Sequence, residues 1–479
     1  MRPHIILRYI GVVLVFNAVF LSISAIISAA NRDSSFLPLF YSSVITLLFG
    51  AFPLIFVPPA RQITNKEGFM IVMSSWLLSC LVGVIPYVLW GGEFSFANAW
   101  FESVSGFTTT GATVLNDVEA LPKGLLFWRA STHWIGGIGI VVFMLSVLPA
   151  MGSARMVLYR NEMSSLAMDN FRHSTARTLQ ILLVVYVGLT VLETVLLTLC
   201  GMTLFDALTH SFATIATGGF STKNLSVAAF DNLAVEVIIM IFMILSGIHF
   251  GLLFNAITES PINLWKSSVV KYYLLSMGIG IAAVTVNIHG SVFPTWGASL
   301  RYASFQLLSV GTSTGFATAD SAIWPPFAQM VMIFFILQCS CAGSTSGGIK
   351  ADRVVIFWKS IIKRIKKIQH PSAVVVVKVN NEIVQDDVIE MSVLYIALYI
   401  TIVFITSVLL TAMGVDSLSA FSGSAATMGN VGPGFGTVSS LGNFSQIPDP
   451  GKWILSVNML LGRVEIFGLI LLLTARSWK

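Results

Sequence analysis

The amino-acid sequence predicts an all-α membrane protein: four pseudo-symmetric helix–pore-loop–helix repeats around one central pore, plus two extra N-terminal transmembrane helices. Three observations predict it. Of 479 residues, 55% are hydrophobic and 10% charged, with a mean hydropathy of +0.84, against roughly 25% charged in an ordinary soluble domain. Apolar runs of spanning length, about 20 residues, recur along the whole chain. Four short Thr/Ser/Gly segments around Gly111, Gly219, Gly315 and Gly432 interrupt them at intervals of 108, 96 and 117 residues. Backbone that is neither helix nor strand survives at membrane depth only where it lines a water-filled path or is wrapped in protein. Four such segments in one chain therefore imply one pore.

Residues 1–67 hold two helices, Ile5–Ala30 and Pro38–Val57. The first is too long for the roughly 7–15 apolar residues of a signal peptide. Repeat 1, residues 68–150, takes Gly68–Trp90, a pore segment Asn98–Phe107 and Leu125–Leu148. Repeat 2, residues 151–260, takes Thr178–Leu199, Asp206–Ala216 and Val235–Ile257. Repeat 3, residues 261–370, takes Val269–Ile288, Ser299–Val310 and an interrupted span from Phe327 to Trp358. Repeat 4, residues 371–479, takes Val388–Met413, Asp416–Met428 and Trp453–Leu473. Asn98, Asp206, Ser299 and Asp416 are the expected N-caps of the pore segments. Residues 373–380 read as a short strand or hairpin ending in a turn at Asn380-Asn381.

With the four loops facing outward, the inner side carries 20 basic residues and the outer side six (Arg32, Lys123, Arg129, Lys223, Arg301 and Lys452). This imbalance puts both termini in the cytoplasm. The net charge of +5 is thus a membrane-topology signal and not a nucleic-acid one. The basic run Lys359–Lys367 is suited to anionic membrane lipid or to a cytoplasmic partner. Cys80, Cys200, Cys339 and Cys341 lack metal-ligand spacing, and His133, His210 and His249 show no H-x-x-x-H pattern. No nucleophile–base set or nucleotide fingerprint is present, so the chain is not expected to be an enzyme and needs no organic cofactor.

Rings of backbone carbonyls from four loops replace the hydration shell of a dehydrated cation, and glycine lets those carbonyls turn inward. Pore segments that end at the loops aim their partly negative C-termini at the same place. The segment Gly343-Ser344-Thr345-Ser346-Gly347-Gly348 fails as a phosphate-binding loop, because Ile349 stands where Lys is required and a membrane helix precedes it instead of a strand. It is either a gate in the interrupted helix or a packing kink. Arg463 and Glu465 lie in the last helix, where a charge costs at least about 2.5–3.5 kcal/mol at the bilayer centre. Arg463 either pairs structurally with a carboxylate or loop carbonyls, or holds the path shut against cations. Glu102 is a buttress of the first loop, a cation attractor or a hydrogen-bonded helix carboxylate.

The segments Thr108–Val114, His210–Thr222, Cys341–Thr345, Gly432–Gly434 and Gly462–Phe467 together resemble the Trk/Ktr/HKT superfamily of K+ transporters and channels, specifically the TrkH type, across essentially the whole chain. The two N-terminal helices favour that type over the shorter KtrB type. The resemblance implies K+ as the transported ion, held by the carbonyls of Thr109, Thr110 and Gly111; Thr217, Gly218 and Gly219; Ser313, Thr314 and Gly315; and Asn430, Val431 and Gly432. It further implies a gating loop at Gly343–Gly348, a basic gate residue at Arg463, a homodimer with one pore per subunit, a TrkA-type cytoplasmic nucleotide-binding ring, and location in a bacterial inner membrane. Glycine at position 111 goes with K+ preference in the family. Ser346 stands where many members carry Gly. Channel-like K+ uptake is the leading expectation. An ion-coupled symporter would call for inverted repeats, and a receptor or scaffold would leave the loops merely structural.

Overall fold

In the computed structural model of the chain, residues 2–60, 63–147, 175–380, 382–464 and 466 are described. Glu465 and the expected run of the last helix to Leu473 lie outside the described residues. Helices α1 (Pro3–Asn31) and α2 (Phe36–Phe56) form a hairpin. They meet at two glycines: a Cβ on Gly11 would stand 2.6 Å from the Gly50 carbonyl oxygen, and one on Gly50 2.9 Å from that of Gly11. Small residues bring two apolar helices together backbone to backbone, where lipid supplies no hydrophobic drive. The far side of α2 exposes Leu48, Phe49, Phe52 and Ile55, a surface suited to hydrocarbon.

Four repeats follow. The first comprises α3 (Asn65–Trp90), α4 (Phe96–Phe107) and α5 (Lys123–Val147). The second comprises α6 (Thr175–Leu199), α7 (Leu204–Ile215), α8 (Leu233–Ser246) and α9 (Phe250–Thr258), with a short α10 (Ile262–Lys266) leading out. The third is α11 (Ser268–Ile288), α12 (Trp296–Gly311), α13 (Pro326–Leu337) and α14 (Ala351–Gln369), and the fourth is α15 (Asp386–Ala412), α16 (Ser417–Met428) and α17 (Asp449–Arg463). Among the described residues six helices are long and apolar enough to span, seven with the α8–α9 pair.

The pore helices α4, α7, α12 and α16 start where Ser95, Thr203, Thr295 and Asp416 accept from the backbone N–H of Asn98, Asp206, Ala298 and Ser419. Three starts thus lie about one turn before the expected caps, and only Asp416 is where the sequence put it. The displaced residues take other work. Asp206 accepts from the hydroxyls of Thr203 and Thr222 at 2.7 and 2.6 Å, and Asn98 accepts from Lys452 at 2.8 Å.

Two further departures have local causes. The expected continuous helix Val235–Ile257 is two helices bent by 104°. At the bend a Cβ on Gly247 would meet the Tyr273 hydroxyl at 2.5 Å, and His249 Nδ1 accepts from the Gly251 N–H at 2.9 Å to cap α9. The strand expected over residues 373–380 shrinks to β1 (Lys378–Val379), antiparallel to β2 (Glu382–Ile383). The interrupted third-repeat span is observed, broken between Leu337 and Ala351. Replacing Gly50 with Val should force α1 from α2 and cost about 1–3 kcal/mol, as overpacking does. A lowered thermal midpoint of the purified protein is the expected result, and an unchanged midpoint would show that the hairpin tolerates separation.

Candidate functional site

Each pore helix closes in the same way. The N–H groups of Thr110, Gly218, Thr314 and Val431 reach back to the carbonyls of Ser105, Ala213, Ser309 and Ala426 at 2.7–2.9 Å. The residue before each donor has left-handed backbone: Thr109, Thr217, Ser313 and Asn430 have φ of 53°, 53°, 56° and 52°. This is the Schellman closure made without glycine, a conformation that costs about 1–2 kcal/mol at most residues and recurs where function holds strain in place. Two residues on, Gly111, Gly219, Gly315 and Gly432 also have positive φ, from 78° to 94°.

These glycines form one closed ring. A Cβ on Gly111 would stand 2.0 Å from the Gly218 carbonyl oxygen, one on Gly219 2.0 Å from that of Thr314, one on Gly315 2.2 Å from that of Val431, and one on Gly432 2.6 Å from that of Thr110. Each repeat touches the next, and the fourth returns to the first. All four glycines line one cavity of about 70 Å³ together with Arg129 and Lys223. The side-chain setting is unequal around the ring. Thr108 and Thr110 share a hydroxyl–hydroxyl bond of 2.7 Å, and Thr312 and Thr314 one of 2.8 Å. The matching pairs in the second and fourth repeats are Ala216 with Gly218 and Gly429 with Val431, which cannot make such a bond.

Residues 338–350 lie against the ring's other side. The loop is pinched at its neck by Cys339 N–H on the Ile349 carbonyl and Ile349 N–H on that of Leu337, at 3.0 and 3.1 Å. Ser344, Thr345 and Ser346 are buried. Thr345 Oγ1 donates to the carbonyl of Ile215, the last residue of α7, at 2.9 Å, and Ser340 Oγ donates to that of Gly311, the last of α12, at 3.2 Å. Gly343, at φ 76°, leaves no room for a Cβ, which would stand 2.0 Å from the His249 ring. The bend between α8 and α9 is therefore the seat of the loop. Arg463 is buried and donates to the carbonyls of Thr345 and Gly136 at 2.5 and 3.0 Å. The Lys350 ammonium donates to the Ser346 carbonyl.

A family model described as TrkH, cation transport protein, matches residues 39–479. The chain belongs to the TrkH family. The Trk system potassium uptake proteins TrkH of Salmonella typhimurium and of Escherichia coli (strain K12) are each 33% identical over the full length of both chains. The crystal structure of the potassium transporter TrkH from Vibrio parahaemolyticus superposes with a TM-score of 0.90 at 32% identity, covering all of both chains. Membership makes this chain a transporter rather than an enzyme.

In this TrkH-family chain the extended segment around and beyond each glycine, called its strand below although it pairs in no sheet, is held by its own pore helix. Glu102 accepts from Thr113 Oγ1 and the Val114 N–H at 3.0 and 3.1 Å. His210 Nε2 pairs with Ser221 Oγ at 2.9 Å. Gln306 donates to the Ala319 carbonyl at 2.7 Å and accepts from the Thr318 N–H at 3.3 Å. All three stand nine residues before their glycine; Gly423 holds that place in the fourth repeat, and neighbouring Ser422 accepts from the Phe435 N–H at 2.8 Å. The buttress reading of Glu102 thus has partners in other repeats. His210 and Gln306 were legible only through that shared spacing. Glu102 also accepts from Arg129 Nε at 2.5 Å, while Arg129 Nη1 donates to the Ser221 carbonyl at 3.1 Å and its guanidinium lies 3.6 Å from the Phe220 ring centre. This pair ties the first strand to the second. Both partners are buried, so Glu102→Ala should strand the Arg129 charge and cost about 3–5 kcal/mol. Loss of monodisperse protein or a large fall in thermal midpoint is expected, and near-normal stability would show that the pair is dispensable.

Proposed function

We propose that this chain mediates K+ uptake across the bacterial inner membrane through the four-glycine ring, with both termini in the cytoplasm. The observation that carries the reading is the closed circuit of carbonyl against glycine. Thr109, Thr110 and Gly111 with their equivalents Thr217–Gly219, Ser313–Gly315 and Asn430–Gly432 are the proposed filter. Their carbonyls replace the water of a dehydrated cation, and the C-termini of α4, α7, α12 and α16 add favourable dipole ends. The potassium uptake and potassium transporter names of full-length relatives support K+ as the cargo. All four pore helices end at one ring in the same sense, which suits a channel-like path better than the paired inverted elements of a symporter.

Gly343–Gly348 are the proposed gate and Arg463 its clasp. The guanidinium donates to one loop carbonyl and one α5 carbonyl and places a positive charge beside the path. A homodimer and a TrkA-type cytoplasmic nucleotide-binding subunit complete the proposed assembly, with the basic half of α14 offering a cytoplasmic contact.

The test is Rb+ uptake into proteoliposomes under an inside-negative potential, with Na+ and H+ varied. Wild-type protein should take up Rb+ without a need for either gradient; strict dependence on one would favour symport, and no uptake would refute transport by this chain. Gly111→Ser should lower Rb+ uptake about tenfold, a barrier of about 1.4 kcal/mol, and narrow its preference over Na+, because the new Cβ meets the Gly218 carbonyl. Arg463→Ala should raise uptake, since each charge-assisted hydrogen bond lost from the closed state is worth about 1.5–3 kcal/mol. Equal or lower uptake at normal expression would count against the clasp.

A further inference from the structure

The four left-handed residues beneath the ring differ in what their side chains do. Thr109 Oγ1 is buried without a hydrogen-bond partner. Thr217 Oγ1 turns back to the Ala216 carbonyl at 2.7 Å. The Asn430 amide donates to Thr110 Oγ1 and the Met459 carbonyl at 3.0 and 2.9 Å. Ser313 is the member of the four whose side chain hydrogen-bonds the 338–350 loop: its Oγ donates to Ser346 Oγ at 2.9 Å and accepts from the Gly347 N–H at 3.1 Å. Both loop residues are in turn confined. The Ser346 carbonyl holds the Lys350 ammonium, and a Cβ on Gly347 would stand 2.5 Å from the Gly429 carbonyl.

We propose that the Ser313–Ser346 hydroxyl pair couples the loop to the ring, so that the position of the loop sets how sharply the third strand discriminates between cations. The proposal rests on the reading of the ring as a cation filter. With the loop seated, two hydrogen bonds hold Ser313 in a backbone conformation that serine otherwise disfavours. When the loop leaves, Ser313 loses both, and the strand that carries Thr314 and Gly315 is freed to relax. Coupling of this kind is reciprocal: an ion that fits the tight strand also favours the seated loop. The Ser313 and Ser346 side chains are positioning groups, since they act through the backbone carbonyls of the third strand, that of Ser313 included.

The experiment measures Rb+ and Na+ uptake separately in proteoliposomes for the wild type, Ser313→Ala, Ser346→Ala, the double variant and Ser313→Thr. Each alanine variant should raise total uptake and lower the Rb+ to Na+ ratio by about two- to tenfold, the range of one hydrogen bond. The double variant should match Ser313→Ala, which by itself removes both hydrogen bonds, as for residues that act through one interaction. Ser313→Thr keeps the hydroxyl, places the residue found at this register in repeats 1 and 2, and should retain the wild-type ratio. A general packing defect lowers both fluxes and leaves the ratio alone. An unchanged ratio in both alanine variants, additive effects in the double variant, or a threonine variant that behaves like alanine would each overturn the coupling. A wild type that passes no Rb+ brings down the filter reading and the coupling with it, whereas normal wild-type flux with unaltered ratios brings down the coupling alone.

Discussion

The contact of each ring glycine with a carbonyl oxygen of the next repeat is the constraint on which the architecture depends. At 2.0–2.6 Å from a would-be Cβ, no side chain fits at any of the four positions, so four backbone segments from distant parts of one chain must arrive at one level. The pore helices secure that level. Each ends four residues before its glycine, although α12 has 16 residues and α4, α7 and α16 have 12. The extra turn of α12, about 6 Å at 1.5 Å per residue, is therefore taken up at its start. Variation is pushed to the end of the helix that has space for it.

Arg463 shows how a costly group becomes a point of cohesion. A buried guanidinium is unfavourable unless its donors find partners, and backbone carbonyls are such partners. The loop at Thr345 supplies one, and α5 supplies another at Gly136. Because Thr345 also bonds the end of α7 through its hydroxyl, a single loop residue connects elements of the second and fourth repeats while belonging to the third. The charge and the broken helix need one another: without the loop the guanidinium loses its best acceptor, and without the guanidinium a loop carbonyl is left buried.

The repeat pattern was legible because the glycine register shows in the sequence and because polar Thr/Ser/Gly segments contrast with apolar flanks. Which carbonyl opposes which glycine was not, since that pairing exists only once the chain has closed on itself. The capping errors have a plain cause: Ser95 and Asn98, Thr203 and Asp206, and Thr295 and Ser299 offer two good cap formers about one turn apart, and only the reach of the helix chooses between them. The bend after Ser246 hid inside a largely apolar run, where Gly247 is unremarkable and the crowding by Tyr273 that decides the matter is tertiary. The four valines at 374–377 carry strand propensity, but β-preference expresses itself only where a partner strand covers it, and Val374 is 94% exposed. Gln306 by itself gives no signal in the sequence, because an amide suggests no chemistry until it is seen doing in the third repeat what a carboxylate does in the first.

The hydroxyl bonds within the first and third strands have a consequence for symmetry. The order of contacts puts these two strands across the axis from each other, with the second and fourth on the remaining diagonal. The hydroxyl bonding around the ring is thus two-fold rather than four-fold in shape. A tetramer of identical subunits cannot hold such a shape without breaking its symmetry, whereas a single chain with four unlike quarters carries it in its covalent sequence.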